Sequence, residues 1–394
     1  MILNRKYIIY LLLFSLFIIS AAVFVFINKD KVLISPNEII LTKAIFSELP
    51  GWEDVEIFKA KKAFQESCKR ILKKNPSTII KVFDIVVNLG SYQTFCDQLK
   101  KTNNNHNLKS LIEASFNIIK IEEQKREAFF TGYIELELKG RLEPSFSEAP
   151  NAIPIYKKPN NLITIDLGLF KEELKNKKIK GVIESGKFVP APTREKIEKK
   201  ELFKNKILAY IDDPARAYFL HIQGSGTIEL SNGESMAVGY DGDNGHDYFS
   251  IGRSLIREGI IAKENISMQS ISKWMQENKK EAASLRQKNK RFIFFKERKK
   301  GEPVGASGTT VTPMHSAAVD NDFLMYHLPL WVNVENFYTD RPAKEYSNLF
   351  IAQDTGSAIK GATRIDLFLG KGKNAEKLAG SLNSNGSLWI FVPK

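Results

Sequence analysis

The sequence predicts a mainly β fold that follows a helical region and an apolar N-terminal segment. Apolar residues alternate with charged ones at Ile134, Leu136 and Leu138, which is the period-two pattern of a β-strand. From residue 291 to 394, short apolar runs lie between Gly, Pro, Asn and Asp turns, which is typical of short strands. Between residues 35 and 128, apolar residues recur at helical spacing instead.

The apolar segment covers residues 7–27, carries no charge and follows Arg5 and Lys6. Such a length of helix spans about 31 Å, the thickness of the hydrocarbon core of a bilayer. We therefore predict a signal anchor or signal peptide within residues 1–30, with its basic end in the cytoplasm. Small residues at positions 20–22 leave cleavage open. The rest of the chain is then exported, so nucleic acid is not an expected partner.

The predicted helical region rests on two apolar repeats. The first consists of residues at spacing i, i+4, i+7 and i+8, namely Phe64, Cys68, Ile71 and Leu72. The second repeats that spacing at Leu108, Leu111, Ile112, Phe116 and Ile119. The chain has two cysteines, Cys68 and Cys96, and whether they pair remains open at this point.

The middle of the chain mixes strand and helix signals. Residues 209–230 are predicted to be strand, because the apolar Leu220 and Ile222 have polar neighbours on either side. Helices are predicted at residues 251–259 and 267–285, and Gly259 ends the first of them.

Composition and motif spacing exclude several classes of protein. Lys and Arg outnumber Asp and Glu by 58 to 45, so the surface favours an anionic partner. The five histidines show no metal-ligand spacing, and no metal or cofactor is expected. The loop at Gly370 and Gly372 fits a loose dinucleotide pattern, but no acidic residue follows Glu376, so we predict a tight turn into a short helix there.

Three glycine-punctuated clusters mix carboxylates, amides, hydroxyls and aromatics, which is the lining expected of a carbohydrate groove. The first combines residues 221–226 with residues 240–252. The second runs from Gly305 to Asp320, and the third covers residues 353–368.

At these clusters the chain resembles the membrane-bound lytic murein transglycosylase A family of bacterial cell-wall enzymes. The resemblance runs from about Phe130 to Lys394, roughly two thirds of the chain. It is carried by several motifs in order, namely Phe130-Thr131-Gly132-Tyr133, Pro192-Thr193-Arg194, Gln223-Gly224-Ser225-Gly226, residues 240–252 and residues 353–366.

The resemblance implies a double-psi β-barrel interrupted by an inserted second β-domain, with a glycan strand in the groove between them. Carried onto this chain, residues 31–134 form the helical region leading into the barrel. Residues 135–291 form the insert, and residues 292–394 complete the catalytic barrel. The alternating strand at Ile134 and the turn-rich C-terminus are compatible with this arrangement.

The resemblance also implies an activity, which is cleavage of peptidoglycan between N-acetylmuramic acid and N-acetylglucosamine to give 1,6-anhydro products. The family's catalytic aspartate matches Asp366, which would act first as general acid and then as base. A second aspartate matches Asp354, for which a catalytic and a supporting role both stay open. The expected substrate-binding residues are Thr131, Tyr133, Gln223, Gly224, Ser225, Tyr240, Asn244, Tyr248 and Lys360.

The expected location is the periplasmic side of a bacterial cell envelope, with the N-terminal segment in the inner or outer membrane. Peptidoglycan strands are the expected partner, and the cell-wall synthesis machinery is a candidate partner. The alternative function is a non-catalytic peptidoglycan-binding or scaffold protein that keeps the groove. The presence of both Asp354 and Asp366 favours the enzyme.

Overall fold

The computed structural model describes residues 31–34, 39–175, 177–299, 301–338 and 344–394. About 35% of these residues are in strands and about 30% in helices, so strands outweigh helices by a small margin. The apolar segment at residues 7–27 lies outside the described residues. Within the described ranges, no helix combines the length and the apolar character needed to span a membrane.

The secondary-structure elements are numbered here in chain order. The strands are β1 (Lys31–Ile34), β2 (Ile39–Ala44), β3 (Ile79–Val82), β4 (Ile85–Asn88), β5 (Phe116–Glu123), β6 (Ala128–Arg141), β7 (Ile153–Tyr156), β8 (Leu162–Asp166), β9 (Lys178–Glu184), β10 (Lys187–Pro190), β11 (Ile207–Ile211), β12 (Ser225–Leu230), β13 (Ser235–Asp243), β14 (Ile293–Glu297), β15 (Ser316–Ala318), β16 (Pro329–Val334), β17 (Tyr346–Asp354), β18 (Arg364–Lys371) and β19 (Asn383–Pro393). The α-helices are α1 (Lys61–Ile71), α2 (Leu89–Leu99), α3 (Asn105–Ser115), α4 (Arg194–Lys200), α5 (Pro214–Gln223), α6 (Ile251–Arg257), α7 (Met268–Glu277), α8 (Lys279–Lys288) and α9 (Lys373–Ser381). Short 3₁₀ turns occur at Phe46–Glu48, Ile57–Ala60, Leu167–Leu169, Glu172–Leu174, Lys204–Lys206 and Lys263–Asn265.

Six strands close into a ring, because β6 pairs with both β18 and β19. From β18 the ring continues through β15, β17 and β16 to β19. The pairs β6–β18 and β15–β17 are parallel, and the other neighbours are antiparallel. Closure pairs strand edges that would otherwise be exposed, which fixes the positions of side chains around the ring.

The ring wall is apolar on both faces. Alternate residues of a strand point to opposite faces, and Leu330 and Val332 of β16 lie in the largest apolar core. Trp331, between them, lies in a second core together with Trp389 of β19. Phe64 of α1 and residues of α2 and α3 belong to this second core, so the N-terminal helices cover the outside of the ring.

A disulfide joins α1 to α2 between Cys68 and Cys96, which the sequence alone left open. The two residues are 28 positions apart, and both are buried where the helices pack together. Closing a loop of this length restricts the unfolded chain and stabilises the fold by roughly 3 kcal/mol in the loop-closure model.

The helical prediction for the N-terminal region holds for α1, α2 and α3 but is wrong for the segments between and after them. The apolar repeat predicted to continue through Ile119 ends at Ser115, and β5 begins at Phe116. The isoleucines of β5 are β-branched, which favours extended chain, and β5 pairs with β2 and β19. Tertiary pairing therefore overrides the helical spacing of these residues.

Strand β6 belongs to two sheets. Its first half lies in the ring, and its last residues pair with β11 and β12 in a second sheet that also contains β7, β13 and β14. Helix α5 packs against β6 and β12, and α7 packs against α5. The helices predicted at residues 251–259 and 267–285 are confirmed as α6 and as the pair α7 and α8, which meet at Asn278.

Helix α5 occupies a segment that was predicted to be strand. The Asp213 carboxylate accepts a hydrogen bond from the N–H of Ala215 over 2.8 Å, and Pro214 occupies the first helical turn. Gly224 ends the helix in the left-handed conformation with φ of 79°. These start and stop signals outweigh an alternation that rested on two apolar residues.

Candidate active site

Two carboxylates and one hydroxyl lie in one row across the ring wall. Ala318 of β15 is in register with Asp354 of β17 on one side and with Asp366 of β18 on the other. Asp366 is in turn in register with Thr131 of β6. Residues in register point to the same face, and neighbouring strands lie about 4.8 Å apart, so the backbones of the two aspartates are about 10 Å apart. Ala318 puts only a methyl group between them.

Asp366 is held through one of its two oxygens. The Thr131 hydroxyl donates to Asp366 Oδ1 over 2.5 Å, and the Arg364 guanidinium donates to Thr131 Oγ1 over 2.7 Å. Because Arg364 occupies an acceptor position of the hydroxyl, the Thr131 proton is directed to the carboxylate. Asp366 Oδ2 has no hydrogen-bond partner among the residues that the structure describes, so it is the oxygen available to a bound molecule.

Burial raises the pKa of Asp366 above the usual range of an aspartate. The charge of Arg364 and the hydrogen bond from Thr131 act in the opposite direction, since both favour the ionised carboxylate, but burial outweighs them. A carboxyl group with a raised pKa is suited to donate a proton near neutral pH and to accept one afterwards. Asp366 therefore has the electrostatics of a general acid and base.

Asp354 is held through both of its oxygens. The N–H groups of Ala306 and Thr355 donate to Oδ1 over 2.9 and 2.8 Å, and the Tyr133 hydroxyl donates to Oδ2 over 3.1 Å. The loop that presents Ala306 begins at Gly305, where a Cβ would lie 2.3 Å from a backbone oxygen of β17. Only glycine allows this approach, so the glycine is needed to bring the Ala306 N–H to Asp354.

Burial also raises the pKa of Asp354, and the negative charge of Asp366 adds to the shift, although the three hydrogen bonds oppose it. Burial and the two carboxylates together raise the pKa of Tyr133 well above its usual range, so its hydroxyl stays protonated and acts as a donor. The two carboxylates repel each other when both are ionised, which favours a state in which one of them carries a proton.

A buried glutamine connects this row to the N-terminal helices. Gln353 is fully buried, and its amide donates to Ala63 O and to Ser67 Oγ, each over 2.9 Å. The Ser316 hydroxyl donates to Gln353 Oε1 over 2.5 Å. Helix α1 is thus bonded to the residue immediately before Asp354, and this contact lies next to the disulfide.

Gln223, Gly224 and Ser225 lie where α5 meets β12. Gln223 Oε1 accepts a hydrogen bond from the N–H of Ile134 over 2.9 Å, so this corner lies one residue beyond Tyr133 along β6. A Cβ at Gly224 would meet no atom within 4 Å, so the backbone there borders open space. The structure therefore brings these three residues to the junction of the two sheets.

Tyr240 and Asn244 lie on the second sheet, away from the row. The Tyr240 hydroxyl donates to Asp243 Oδ2 over 2.5 Å, while the tyrosine remains 45% exposed. Asn244 is buried, its amide group donates to two backbone carbonyls and its carbonyl accepts from a backbone N–H. These bonds use every polar group of Asn244, so the geometry does not support the predicted sugar contact at this residue.

Tyr248 lies just before α6, and Arg253 lies within that helix. Burial raises the pKa of Tyr248, and a hydrogen bond with Ser250 and the charge of Arg253 oppose that shift. Burial lowers the pKa of Arg364, and the charge of Arg253 acts in the same direction.

Lys360 lies on the loop between β17 and β18 and binds carboxylates. Its ammonium donates to Asp320 Oδ1 over 3.0 Å and contacts Asp322 Oδ2 at 3.4 Å, while its side chain stays 62% exposed. The N–H of Gly361 donates to Asp320 Oδ2 over 2.9 Å, so Asp320 anchors this loop. Within the described part of the chain, no group of three or more His, Cys, Asp or Glu side chains is placed to hold a metal ion.

Three residues support the row or its neighbours although the sequence assigned them no role. Arg364 precedes Asp366 by two positions, and residues at that spacing share one face of a strand, so the sequence could have indicated that Arg364 lies beside Asp366. Gln353 adjoins Asp354 but contacts α1 instead. Ala306 acts through its backbone N–H, which no side-chain pattern reports.

We expect Thr131→Val to lower kcat by about ten- to a hundredfold, because an unmade bond to a charged group costs about 1.5–3 kcal/mol. Valine has the shape of threonine but leaves both Asp366 Oδ1 and the Arg364 guanidinium without their shared partner. Thr131→Ser keeps the hydroxyl and should stay within about threefold of the parent. Equal losses in both variants would contradict a role for this hydrogen bond.

We also expect Asp366→Asn to raise thermal stability at neutral pH. The folded-state pKa of Asp366 is raised, so folding favours its protonated form. That contribution is fully present below the unfolded pKa, near 4, and is lost as pH rises through the folded pKa. Asparagine is neutral throughout, so the variant's Tm should equal the parent's near pH 4 or below and exceed it at pH 7. Equal Tm values at both pH values would contradict the raised pKa.

Two family models match the chain. The first, described as the MltA specific insert domain, matches residues 129–296, which include Thr131. The second, the 3D domain, matches residues 315–392, which include Asp354 and Asp366. Together they cover nearly all of the ring and the second sheet.

Known relatives and solved structures agree with these matches. A membrane-bound lytic murein transglycosylase A homolog from Buchnera aphidicola is 34% identical over 244 residues, 60% of this chain and 60% of that protein. The crystal structure of MltA from Neisseria gonorrhoeae is 29% identical with a TM-score of 0.74, covering 92% of this chain and 94% of that one. The structure of E. coli MltA with bound chitohexaose is 24% identical with a TM-score of 0.63 over 84% of this chain and 90% of that one, a likeness that shows the fold alone.

The sequence match spans less than two thirds of the Buchnera relative, whereas the structural match to the Neisseria protein spans nine tenths of this chain. The ring, the second sheet and the row of Thr131, Asp366 and Asp354 all fall within the matched regions. The family models, the relatives and the solved structures all support the membrane-bound lytic murein transglycosylase A family for this chain.

Proposed function

We propose that the chain is a lytic transglycosylase that cleaves the β-1,4 bond between N-acetylmuramic acid and N-acetylglucosamine in peptidoglycan. The observation that carries the proposal is the row of Thr131, Asp366 and Asp354, with a raised pKa at Asp366, in a chain of this family. The relatives are named as murein transglycosylases, and the row supplies the acid and base that such a reaction needs.

In the proposed reaction, Asp366 donates its proton to the glycosidic oxygen, and the bond from that oxygen to C1 of the muramic acid breaks. The C6 hydroxyl of the same sugar attacks C1 and forms a new bond from O6 to C1. The hydroxyl proton passes to the Asp366 carboxylate, which restores the acid. One product carries a free N-acetylglucosamine hydroxyl, the other is a 1,6-anhydro sugar, and no water is consumed.

A single carboxyl group is sufficient for this chemistry. Ordinary glycosidases use a second carboxylate as nucleophile or to activate water, but here the nucleophile is part of the substrate. An intramolecular hydroxyl has a high effective concentration when the sugar ring is held in the reactive conformation. Asp366 Oδ2 is the proposed proton-transfer atom, because Oδ1 is occupied by Thr131.

We assign Asp354 a positioning role. Two carboxylates in one row would also suit an inverting hydrolase, in which the second carboxylate activates water. However, Asp354 Oδ1 already accepts two backbone N–H groups and Oδ2 accepts the Tyr133 hydroxyl. These bonds favour Asp354 as the anchor of the Gly305–Ala306 loop and of Tyr133.

The remaining proposed substrate contacts border the junction of the two sheets. Gln223, Gly224 and Ser225 lie where α5 meets β12, beside Ile134 of β6, which follows Tyr133. The exposed ring of Tyr240 offers a stacking surface for a sugar. Tyr248 is a further proposed substrate contact. Lys360 is exposed enough to meet an anionic substituent while it holds Asp320.

The ring of six strands is proposed to be a double-psi β-barrel, with residues 135–291 as the inserted domain. Residues 31–134, in which α1, α2 and α3 lie between strands, are proposed to lead into the barrel. The parallel pairs β6–β18 and β15–β17 of the ring support the description as a barrel of this type. Residues 1–30 are proposed to anchor the protein on the periplasmic side of the cell envelope, where peptidoglycan and its synthesis machinery are accessible.

Digestion of purified murein sacculi tests the proposed function. The full chain is incubated with sacculi, and the soluble products are separated and identified by mass. We expect products that end in 1,6-anhydromuramic acid, each one water lighter than the corresponding reducing-end product. Reducing ends would indicate a hydrolase, and co-sedimentation with sacculi without soluble products would indicate a non-catalytic binding protein.

A further inference from the structure

A cavity of about 520 Å³ lies beside the loop that holds Asp354. It is walled by the end of α1, by Ala306 and Ser307, and by the loop that contains Tyr326 and His327. The Ala306 N–H donates to Asp354 Oδ1, so the cavity wall is one hydrogen bond from the proposed active site. Burial and the charge of Asp354 raise the pKa of Tyr326, which is consistent with the same proximity.

The cavity is cationic. Arg70, Lys73 and Lys74 line it, and no acidic residue does so among the residues that the structure describes. Burial, together with the charges of Arg70 and Lys74, lowers the pKa of His327 to about 4, so this histidine is neutral at pH 7. A concave surface with three like charges and no counter-charge concentrates its field on an anionic ligand.

Stabilisation of the helix end does not account for these cations. Lysines near a helix C-terminus interact favourably with the last carbonyl groups. Here the Gln93 amide already donates to Ile71 O and Lys74 O, over 2.9 and 2.8 Å. The Arg70 guanidinium is directed away from the helix and donates to Gly308 O. The two lysine ammoniums are therefore not needed as caps.

We infer that this cavity binds a free carboxylate of the peptide carried by the muramic acid of the substrate. The inference rests on the proposed function, because it requires a peptide-bearing glycan at Asp366. The volume of the cavity lies within the range of small-ligand sites, which is enough for a short peptide segment. Lys73 and Lys74 hold the carboxylate as exposed point charges, and Arg70 fixes the opposite wall through Gly308.

Occupation of the cavity also acts on the active site. The cavity wall at Ala306 and Ser307 belongs to the loop that Asp354 anchors, so a bound peptide favours the loop position in which the Ala306 N–H meets that carboxylate. Peptide-bearing strands are then better substrates than bare glycan. This preference is a property of the N-terminal helices, which neither family model covers.

The test compares two double variants on two substrates. Lys73→Gln with Lys74→Gln removes both cavity ammoniums, whereas Lys62→Gln with Lys101→Gln removes two exposed charges of the same region outside the cavity. Each protein is assayed on soluble peptide-bearing glycan strands and on the same strands after an amidase has removed the peptides. Binding of both strand preparations to each double variant combined with Asp366→Asn is measured as well.

We expect the cavity variant to lose about tenfold in kcat/KM and in affinity on peptide-bearing strands. Two partly exposed ion pairs, from Lys73 and Lys74 to the peptide carboxylate, contribute about this much to binding. It should match the parent on bare strands, and the control variant should match the parent on both. Equal losses on both substrates, or no loss on either, would overturn the inference. If the parent itself releases no product, the proposed function fails, and the binding comparison still decides the cavity's ligand.

Discussion

Asp366→Asn is expected to lower the turnover of peptidoglycan by at least about a thousandfold, the range that positioned proton transfer contributes. Asparagine preserves the shape of the side chain and still accepts the Thr131 hydroxyl at Oδ1, but it neither gives a proton to the glycosidic oxygen nor takes one from the C6 hydroxyl. The variant should still bind sacculi, because the proposed substrate contacts at Gln223, Tyr240 and Lys360 are unchanged. Release of soluble products from sacculi measures the turnover, and co-sedimentation measures binding.

The matched control is Asp97→Asn, which makes the same change at an exposed carboxylate of α2 that pairs with Lys100. Its turnover should equal that of the parent. Near-parental turnover in Asp366→Asn would remove Asp366 from the mechanism. Loss of both turnover and binding in that variant would assign Asp366 to substrate binding instead.

Arg194→Met is expected to lower the free energy of unfolding by about 3–5 kcal/mol, the cost of breaking a buried charged network. Arg194 is 1% exposed and lies over the rings of Tyr218 and Phe292. Its guanidinium donates to Asn289 O and Arg291 O and pairs with Glu198. Methionine fills part of the volume but leaves these oxygens buried without their donor.

Urea unfolding measures this loss, and Arg257→Met is the control. Arg257 is 73% exposed and lies 3.9 Å from Glu258, so its removal should cost less than about 1 kcal/mol. A similar small cost at Arg194 would show that the neighbouring chain relaxes to satisfy the freed groups. The motif Pro192-Thr193-Arg194 would then have no structural role in the second sheet.

Local sequence patterns predicted the elements in which apolar residues recur at a single spacing, either that of a strand or that of a helix. The alternation at Ile134, Leu136 and Leu138 predicted the centre of β6, although the strand extends from Ala128 to Arg141. The short helix after Gly372 is present as α9. The helical spacing around Phe64 predicted α1, and its buried face packs on the ring.

Helix α5 was missed although Asp213, Pro214 and Gly224 signal its start and end locally, because a two-residue alternation masked these signals. Elements that depend on distant partners could not be predicted from local patterns. Strand β5 is extended because β2 and β19 hold it, although its residues continue a helical repeat. The pairing of Cys68 with Cys96 depends on the packing of α1 against α2, which no spacing reports.

The candidate site likewise depends on contacts between distant residues, which local sequence patterns do not report. Asp366 and Thr131 are 235 residues apart and meet only because β18 and β6 pair in parallel register. Resemblance to a family pointed to both residues, whereas the Arg364 contact and the backbone donor at Ala306 required coordinates. Asn244 was a reasonable sugar contact by residue type, but its burial commits it to the backbone.

In the proposed reaction a hydroxyl of the substrate, rather than water, attacks the sugar while Asp366 moves the proton. Digestion of sacculi in water enriched in oxygen-18 distinguishes these two nucleophiles, with the products examined by mass for the heavy isotope. We expect anhydro products without incorporated oxygen-18, and no such products from Asp366→Asn. Incorporation of one heavy oxygen at each cleaved bond would contradict it, because water would then be the nucleophile.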